Sequence, residues 1–243
     1  MTDSSQNSPS QDPRIALVTG GSRGIGRAIV EALLNSSWIV HFCSRSQSSV
    51  DAALAELRPR FGNSVAGTAV DVGDQQLVDT WVSAALEQHG RVDCLVNNAG
   101  LGHFAAVDEL TGDQWRTTLR TNLDGAFYCL RAVAGPMRHQ GDGWIFNIAS
   151  LAGKNPFAGG SAYNASKYGL IGFSDAAMLD LRQDGIRVSA ILPGSVDTAF
   201  HHRDDTGWMM RPEDVAQAVL DLLQYPARTL PSRVELRPTK PPR

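Results

Sequence analysis

The chain has 243 residues, is 42% hydrophobic and 19% charged, and carries a formal net charge of -3, which suits one domain with a full-sized core. So even a balance argues against nucleic acid or an anionic membrane as partner, and no window approaches the roughly 20 apolar residues of a spanning helix. Cys43, Cys94 and Cys129 lie in apolar runs without metal-ligand spacing, the usage of reduced core thiols in a cytoplasmic protein rather than of a disulfide framework or a zinc site.

The first thirteen residues, MTDSSQNSPSQDP, are polar and serine-rich and lack the apolar centre of a signal peptide. They predict a disordered tail over 1–13, ahead of a single domain over 14–243. From there short β-branched runs alternate with longer segments of helical period. Strands are predicted at 14–19, 38–43, 64–70, 92–97, 142–149, 186–192 and 232–236, and helices at 24–36, 48–59, 74–89, 113–139, 161–184 and 212–224. This rhythm implies an α/β fold, a doubly wound parallel sheet with helices on both faces.

Behind the first strand stands TGGSRGIG, residues 19–26. A strand, a glycine-rich turn and a helix start make an anion site, because unpaired N–H groups and the positive end of the helix dipole converge there. Gly20, Gly24 and Gly26 are spaced G-x-x-x-G-x-G, and Ser22, Arg23 and Ile25 fill the turn; alone, such a turn would serve any α/β protein. The second strand runs out through Ser44 and Arg45, the third through Asp71 and Val72, and the fourth into Asn98, Ala99 and Gly100.

Asn122 lies in the predicted helix 113–139, whose apolar positions are spread more widely than one face requires. Ser150 follows the fifth strand, and SAYNASKYG opens helix 161–184. Residues i and i+4 share a helix face, so Tyr163 and Lys167 can enter one cleft. The sixth strand ends in PGSVDT, with Pro193, Gly194, Val196 and Thr198.

Taken together, TGGSRGIG, NNAG at 97–100, Asn122, Ser150, the Y-x-x-x-K of Tyr163 and Lys167, and PGSVDT resemble the short-chain dehydrogenase/reductase family, in order and over residues 14–224. The resemblance implies a single-domain Rossmann-type fold of seven parallel strands in the order 3-2-1-4-5-6-7, with a dinucleotide across the point where the order reverses. It implies that Gly20, Gly24 and Gly26 line the pyrophosphate with Ser22 and the Ile25 backbone. Asp71 would accept from the adenine amino group, or else cap the next turn, with Val72 beside the ring. Asn98, Ala99 and Gly100 would lie under the adenosine ribose. Lys167 and Tyr163 would meet the nicotinamide ribose, and Pro193, Gly194, Val196 and Thr198 would present the nicotinamide ring.

A carboxylate about 20 residues beyond the glycines usually holds a free ribose 2'-hydroxyl, whereas a 2'-phosphate needs cations. Ser44 stands where that acid would be, followed by Arg45, with Arg23 in the turn. NADP(H) is therefore the expected cofactor.

In the implied chemistry Tyr163 is the acid for carbonyl reduction, its pKa brought down by the Lys167 ammonium assisted by the positive nicotinamide of the oxidised cofactor. Ser150 orients the substrate oxygen, and the Asn122 backbone holds a water that completes a relay to solvent. The expected function is an NADPH-dependent carbonyl reductase, or alcohol dehydrogenase in reverse, on a small or medium ketone, aldehyde or secondary alcohol. A 3-oxoacyl thioester on acyl carrier protein is the alternative, with Arg120, Arg131 and Arg138 as a hint of a basic docking surface. From another class, a dinucleotide-binding redox sensor would have no use for the relay.

Phe104, Phe157, Phe200, Trp208 and Met209 are expected to wall the substrate pocket, and Lys154 to be either a solvated charge or a receiver of an anionic group. No metal site is expected, His201 and His202 included. Helices 113–139 and 161–184 are expected to pair subunits in a homodimer or homotetramer. The tail RVELRPTKPPR is expected to cross a neighbouring surface or to fray.

Overall fold

A run of five apolar-rich residues buried on both faces belongs in the middle of a parallel sheet, and IALVT is such a run: β1, Ile15–Thr19, is buried throughout. In this computed structural model, residues 13–199 and 206–242 are described; the expected tail before Pro13, and Phe200, His201 and His202, lie outside the described residues. The remaining strands are β2 (Ile39–Ser44), β3 (Val65–Ala69), β4 (Cys94–Asn97), β5 (Gly143–Ile148), β6 (Ile186–Pro193) and β7 (Arg233–Leu236). All pair in parallel, in the order β3-β2-β1-β4-β5-β6-β7. The order reverses between β1 and β4, and a crevice opens there at the carboxyl ends of the strands.

Seven helices among the described residues cover the two faces: α1 (Gly24–Asn35), α2 (Gln47–Phe61), α3 (Gln75–His89), α4 (Gly112–Leu119), α5 (Gly125–Gln140), α6 (Ser161–Leu181) and α7 (Pro212–Leu223). Alternate strand residues supply the two halves of the core. Ala16, Val18, Phe42 and Phe146 pack with Ile29 and Leu33 of α1, Leu57 of α2 and Val219 of α7. Leu17, Cys43, Leu95 and Ile145 pack with Trp81 of α3, Val133 and Met137 of α5 and Leu181 of α6. The three cysteines are buried and free, and burial pushes the Cys43 thiol up to about 12, which leaves it unreactive.

One predicted element is broken. The single helix expected over 113–139 is α4 and α5 joined by a π turn, Arg120–Asp124, closed by the bond from the Gly125 N–H to the Arg120 carbonyl. A π turn inserts one residue into the helical ladder, rotates the side chains that follow, and is frequent at functional sites. Here the turn contains Asn122, only 1% exposed.

Candidate active site

The glycine turn is shaped by what it cannot hold. Gly20 and Gly24 have φ of +66° and +56°, the left-handed region that side chains disfavour. A Cβ on Gly26 would lie 2.2 Å from the Gly20 carbonyl oxygen and 2.4 Å from Asn98 Nδ2. Asn98 braces the turn, donating from Nδ2 to the Thr19 carbonyl at 3.0 Å, while Thr19 Oγ1 accepts from the Asn98 and Ala99 N–H groups. Helix α1 starts at Gly24 with no side-chain cap and no acid in its first turn, so its leading N–H groups and positive dipole end face the crevice.

The crevice holds about 830 Å³ and is lined by Gly20, Ser22, Arg23, Gly24, Ile25, Ser44, Arg45, Asp71, Val72, Asn98, Ala99, Gly100, Ser150, Tyr163, Lys167, Pro193, Gly194, Val196 and Thr198. Of the residues expected to meet the cofactor, only Gly26 is outside this wall; it lies beneath the turn and acts by letting α1 pack against Gly20. The cradle of bare glycines, uncapped helix and converging N–H groups fits a dinucleotide pyrophosphate.

At the second-strand end Ser22 donates to Ser44 at 2.9 Å. Arg23 and Arg45 are exposed at the rim, and neither forms an ion pair among the described residues. Asp71 lines the crevice, and its Oδ1 caps the next turn by accepting from the Gly73 N–H at 3.0 Å. Its Oδ2 pairs with Arg120 at 2.7 Å.

Across the crevice α6 carries Tyr163 and Lys167 on one face. A buried polar chain ties α6 to the sheet: Asn97 Nδ2 donates to Asn147 Oδ1 at 2.9 Å, and Asn147 Nδ2 to Ser174 Oγ at 2.8 Å. Lys167, 4% exposed, donates to the Ile148 carbonyl at 2.9 Å, and its Nζ is 5.7 Å from the Tyr163 ring centre. Burial lowers Lys167 from 10.5 to about 8. Burial also raises the Tyr163 phenol, against a smaller lowering by its hydrogen bond with Ser150. The expected acidification draws on the Lys167 ammonium together with the positive nicotinamide of the oxidised cofactor; with the protein's own groups, burial dominates and holds the phenol up. Ser150 also caps the following turn, accepting from the Ala152 N–H at 3.1 Å.

Asn122 is not in the crevice wall. Its Oδ1 accepts from the Leu101 N–H at 2.8 Å, and its Nδ2 donates to the Leu101 carbonyl at 2.8 Å and to Ser166 Oγ at 3.0 Å. A Cβ on Gly100 would lie 3.4 Å from Asn122 Oδ1 and 3.7 Å from Lys167 Nζ, so the three positions converge. With the side chain committed to Leu101 and Ser166, any part in proton transfer falls to the Asn122 main chain.

Phe104, Phe157 and Trp208 line the crevice, and Met209 does not. Phe104 lies tilted against Phe157 at 5.9 Å and edge-on to Tyr163 at 5.7 Å. Lys154 is ion-paired with Glu235 at 2.6 Å. Arg120, Arg131 and Arg138 pair with Asp71, Asp79 and Asp184, so the basic stripe suggested by the sequence is largely neutralised. The sequence reading also missed Thr121, Arg237, Pro238 and Pro241 in the wall. The last three belong to the tail, which folds over its own crevice.

The family model for short chain dehydrogenase matches residues 14–207. The chain belongs to the short-chain dehydrogenase family. As a member it is an oxidoreductase, and its relatives are varied. A monensin polyketide synthase putative ketoacyl reductase from Streptomyces virginiae is 38% identical over 213 residues, 87% of this chain and 81% of the relative. Among solved structures, an alcohol dehydrogenase from the archaeon Thermococcus sibiricus complexed with 5-hydroxy-NADP superposes with a TM-score of 0.87 at 27% identity, covering 96% of this short-chain dehydrogenase and all of the other chain. A single-substitution variant of the actinorhodin polyketide ketoreductase with NADPH gives 0.86 at 32% identity, covering 94% and 97%. No helix among the described residues is long and apolar enough to cross a membrane.

Proposed function

We propose that this short-chain dehydrogenase is an NADPH-dependent carbonyl reductase, or alcohol dehydrogenase in reverse, acting on small or medium ketones, aldehydes or secondary alcohols in the cytoplasm. The observation that carries the reading is the joint lining of one crevice by the glycine turn, Ser150, Tyr163 and Lys167. Gly20, Gly24 and the α1 N–H groups would hold the pyrophosphate, Asp71 and Val72 the adenine side, and Asn98, Ala99 and Gly100 the ribose. Arg23 and Arg45, with Ser44 in place of an acid, favour a 2'-phosphate, and two structural relatives are complexed with 5-hydroxy-NADP and with NADPH.

The bound dinucleotide supplies the hydride for the carbonyl carbon. The protein's own contribution is positional and protic. Ser150 and Tyr163 hydrogen-bond the substrate oxygen, and a phenol kept neutral by burial is the form that donates a proton to it. Lys167 would hold the nicotinamide ribose, and its ammonium stabilises the phenolate that results. Phe104, Phe157 and Trp208 would give the substrate an apolar wall beside its carbonyl. Pro193, Gly194, Val196 and Thr198 would fix the nicotinamide end.

A 3-oxoacyl thioester is the substrate favoured by the names of the ketoreductase relatives. Assembly as a homodimer or homotetramer through α4, α5 and α6 is favoured by exposed Trp115, Phe127, Tyr168 and Leu179 and by open space over Gly172. Loss of nicotinamide absorbance on mixing protein, NADPH and a panel of ketones and 3-oxoacyl thioesters tests the activity; binding without turnover throughout would leave a non-catalytic dinucleotide protein. Light scattering of the eluted protein tests the assembly.

A further inference from the structure

The tail that lines the crevice brings a cation with it. The Gly194 N–H donates to the Leu236 carbonyl at 2.8 Å. A Cβ on Gly194 would meet Leu151 Cδ1 at 3.1 Å and Pro238 Cδ at 3.2 Å. The segment leaving β7 is thus pinned between the turn that follows β6 and the turn that follows Ser150. Two prolines, Pro238 and Pro241, stiffen it where it lines the crevice. Arg237 lies in that wall, at the opposite end from Arg23 and Arg45.

Its charge is not fully matched. Arg237 Nη2 donates to Glu235 Oε2 at 2.7 Å, and Lys154 Nζ to Glu235 Oε1 at 2.6 Å, so two cations share one carboxylate. Lys154 and then Arg237 hold the Glu235 carboxyl below the usual carboxylate range, and it stays ionised at neutral pH. Among the described residues the only acid in the crevice wall is Asp71, at the adenine end and paired with Arg120. A guanidinium has five donors in a fork, and the bond to Glu235 leaves most of that fork for a second anion.

We infer that Arg237 is a specificity-determining residue that selects carbonyl substrates bearing a carboxylate or phosphate group. The inference rests on the carbonyl-reductase reading. Glu235 acts as its positioning residue, holding the fork at the crevice rim while Lys154 offsets the carboxylate's charge.

The test compares kcat/KM for matched pairs: an oxo acid with its methyl ester, and a phosphorylated ketone with its dephosphorylated alcohol. In the unaltered enzyme the charged member of at least one pair is favoured at least about tenfold, the scale of a charge-assisted hydrogen bond, and the preference shrinks with added salt. Which pair shows it identifies the anion. Arg237→Gln collapses the ratio, Arg237→Lys keeps part of it, and Lys240→Gln, an exposed tail cation outside the wall, leaves it in place. Equal use of charged and neutral members by the unaltered enzyme, or an equal fall for both in Arg237→Gln, overturns the inference. Failure to reduce any ketone would instead overturn the carbonyl-reductase reading on which it rests.

Discussion

At the scale of single residues, chemistry centres on a phenol and an amine that burial drives in opposite directions. Tyr163→Phe removes the proton donor but keeps the ring that packs on Phe104. Turnover should fall by on the order of 10²–10⁴ while NADPH affinity, read by fluorescence titration, barely changes; full retained rate would remove Tyr163 from the reaction. Lys167, lowered to about 8, is charged below that value and neutral above it. The field that stabilises the phenolate is therefore lost as pH rises, and kcat/KM for reduction should decline through about pH 8. A flat profile from about pH 7 to 9.5 would show that this amine does not support the proton transfer. The rim arginines give a third expectation. Arg45→Asp with Arg23→Ser should weaken NADPH far more than NADH in parallel titrations, since the variant loses a fork that only the 2'-phosphate can occupy; equal weakening refutes the clamp.

Elements differ in how openly the sequence declares them. The glycine turn was legible because its chemistry is local: a strand, bare positions and a helix start lie in one stretch of eight residues. Even there Gly26 differs from its expected role, since its contact with the Gly20 carbonyl forms only when the helix folds back. Gly26→Ala should cost about 1–3 kcal/mol in urea unfolding, as overpacking does, and should weaken the dinucleotide because Gly20 must shift. Unaltered stability and affinity would mean that the turn has room which the geometry denies. The π turn at Arg120–Asp124 was not legible, because one inserted residue leaves the apolar spacing of a long helix almost unchanged. The pairing of Arg120, Arg131 and Arg138 was hidden for another reason: the partners Asp71, Asp79 and Asp184 lie 49, 52 and 46 positions away. Isolated cations on a helix read as a docking stripe until the fold supplies their acids.

For the molecule as a whole, the alternation of strands such as IALV with helices made the parallel sheet readable, while the strand order and the crevice at its reversal were implied by the family resemblance that the motifs carry. The tail was not, because nothing in RVELRPTKPPR says which surface receives it until Gly194 and Leu151 are in place. One global property also depends on a contact between distant segments. His41 of β2 and His89 at the end of α3 meet through their Nε2 atoms at 2.8 Å, edge to face. One ring must donate and the other accept, so the contact requires a neutral ring. Burial, and then the charge of His89, lowers His41 to about 4; burial lowers His89 as well. Because the folded pKa lies below the unfolded value of 6.5, the unfolded chain binds more protons between the two. Stability from His41 is thus fully present above about pH 6.5 and is lost as pH falls toward 4, by up to about 3 kcal/mol. Urea unfolding at a series of pH values should show this loss in the unaltered protein and a shallower one in His41→Gln, where acid titration of carboxylates remains but the imidazole does not. Parallel curves for the two proteins would mean that the pair carries no pH dependence, and that the acid sensitivity of the fold resides in its carboxylates alone.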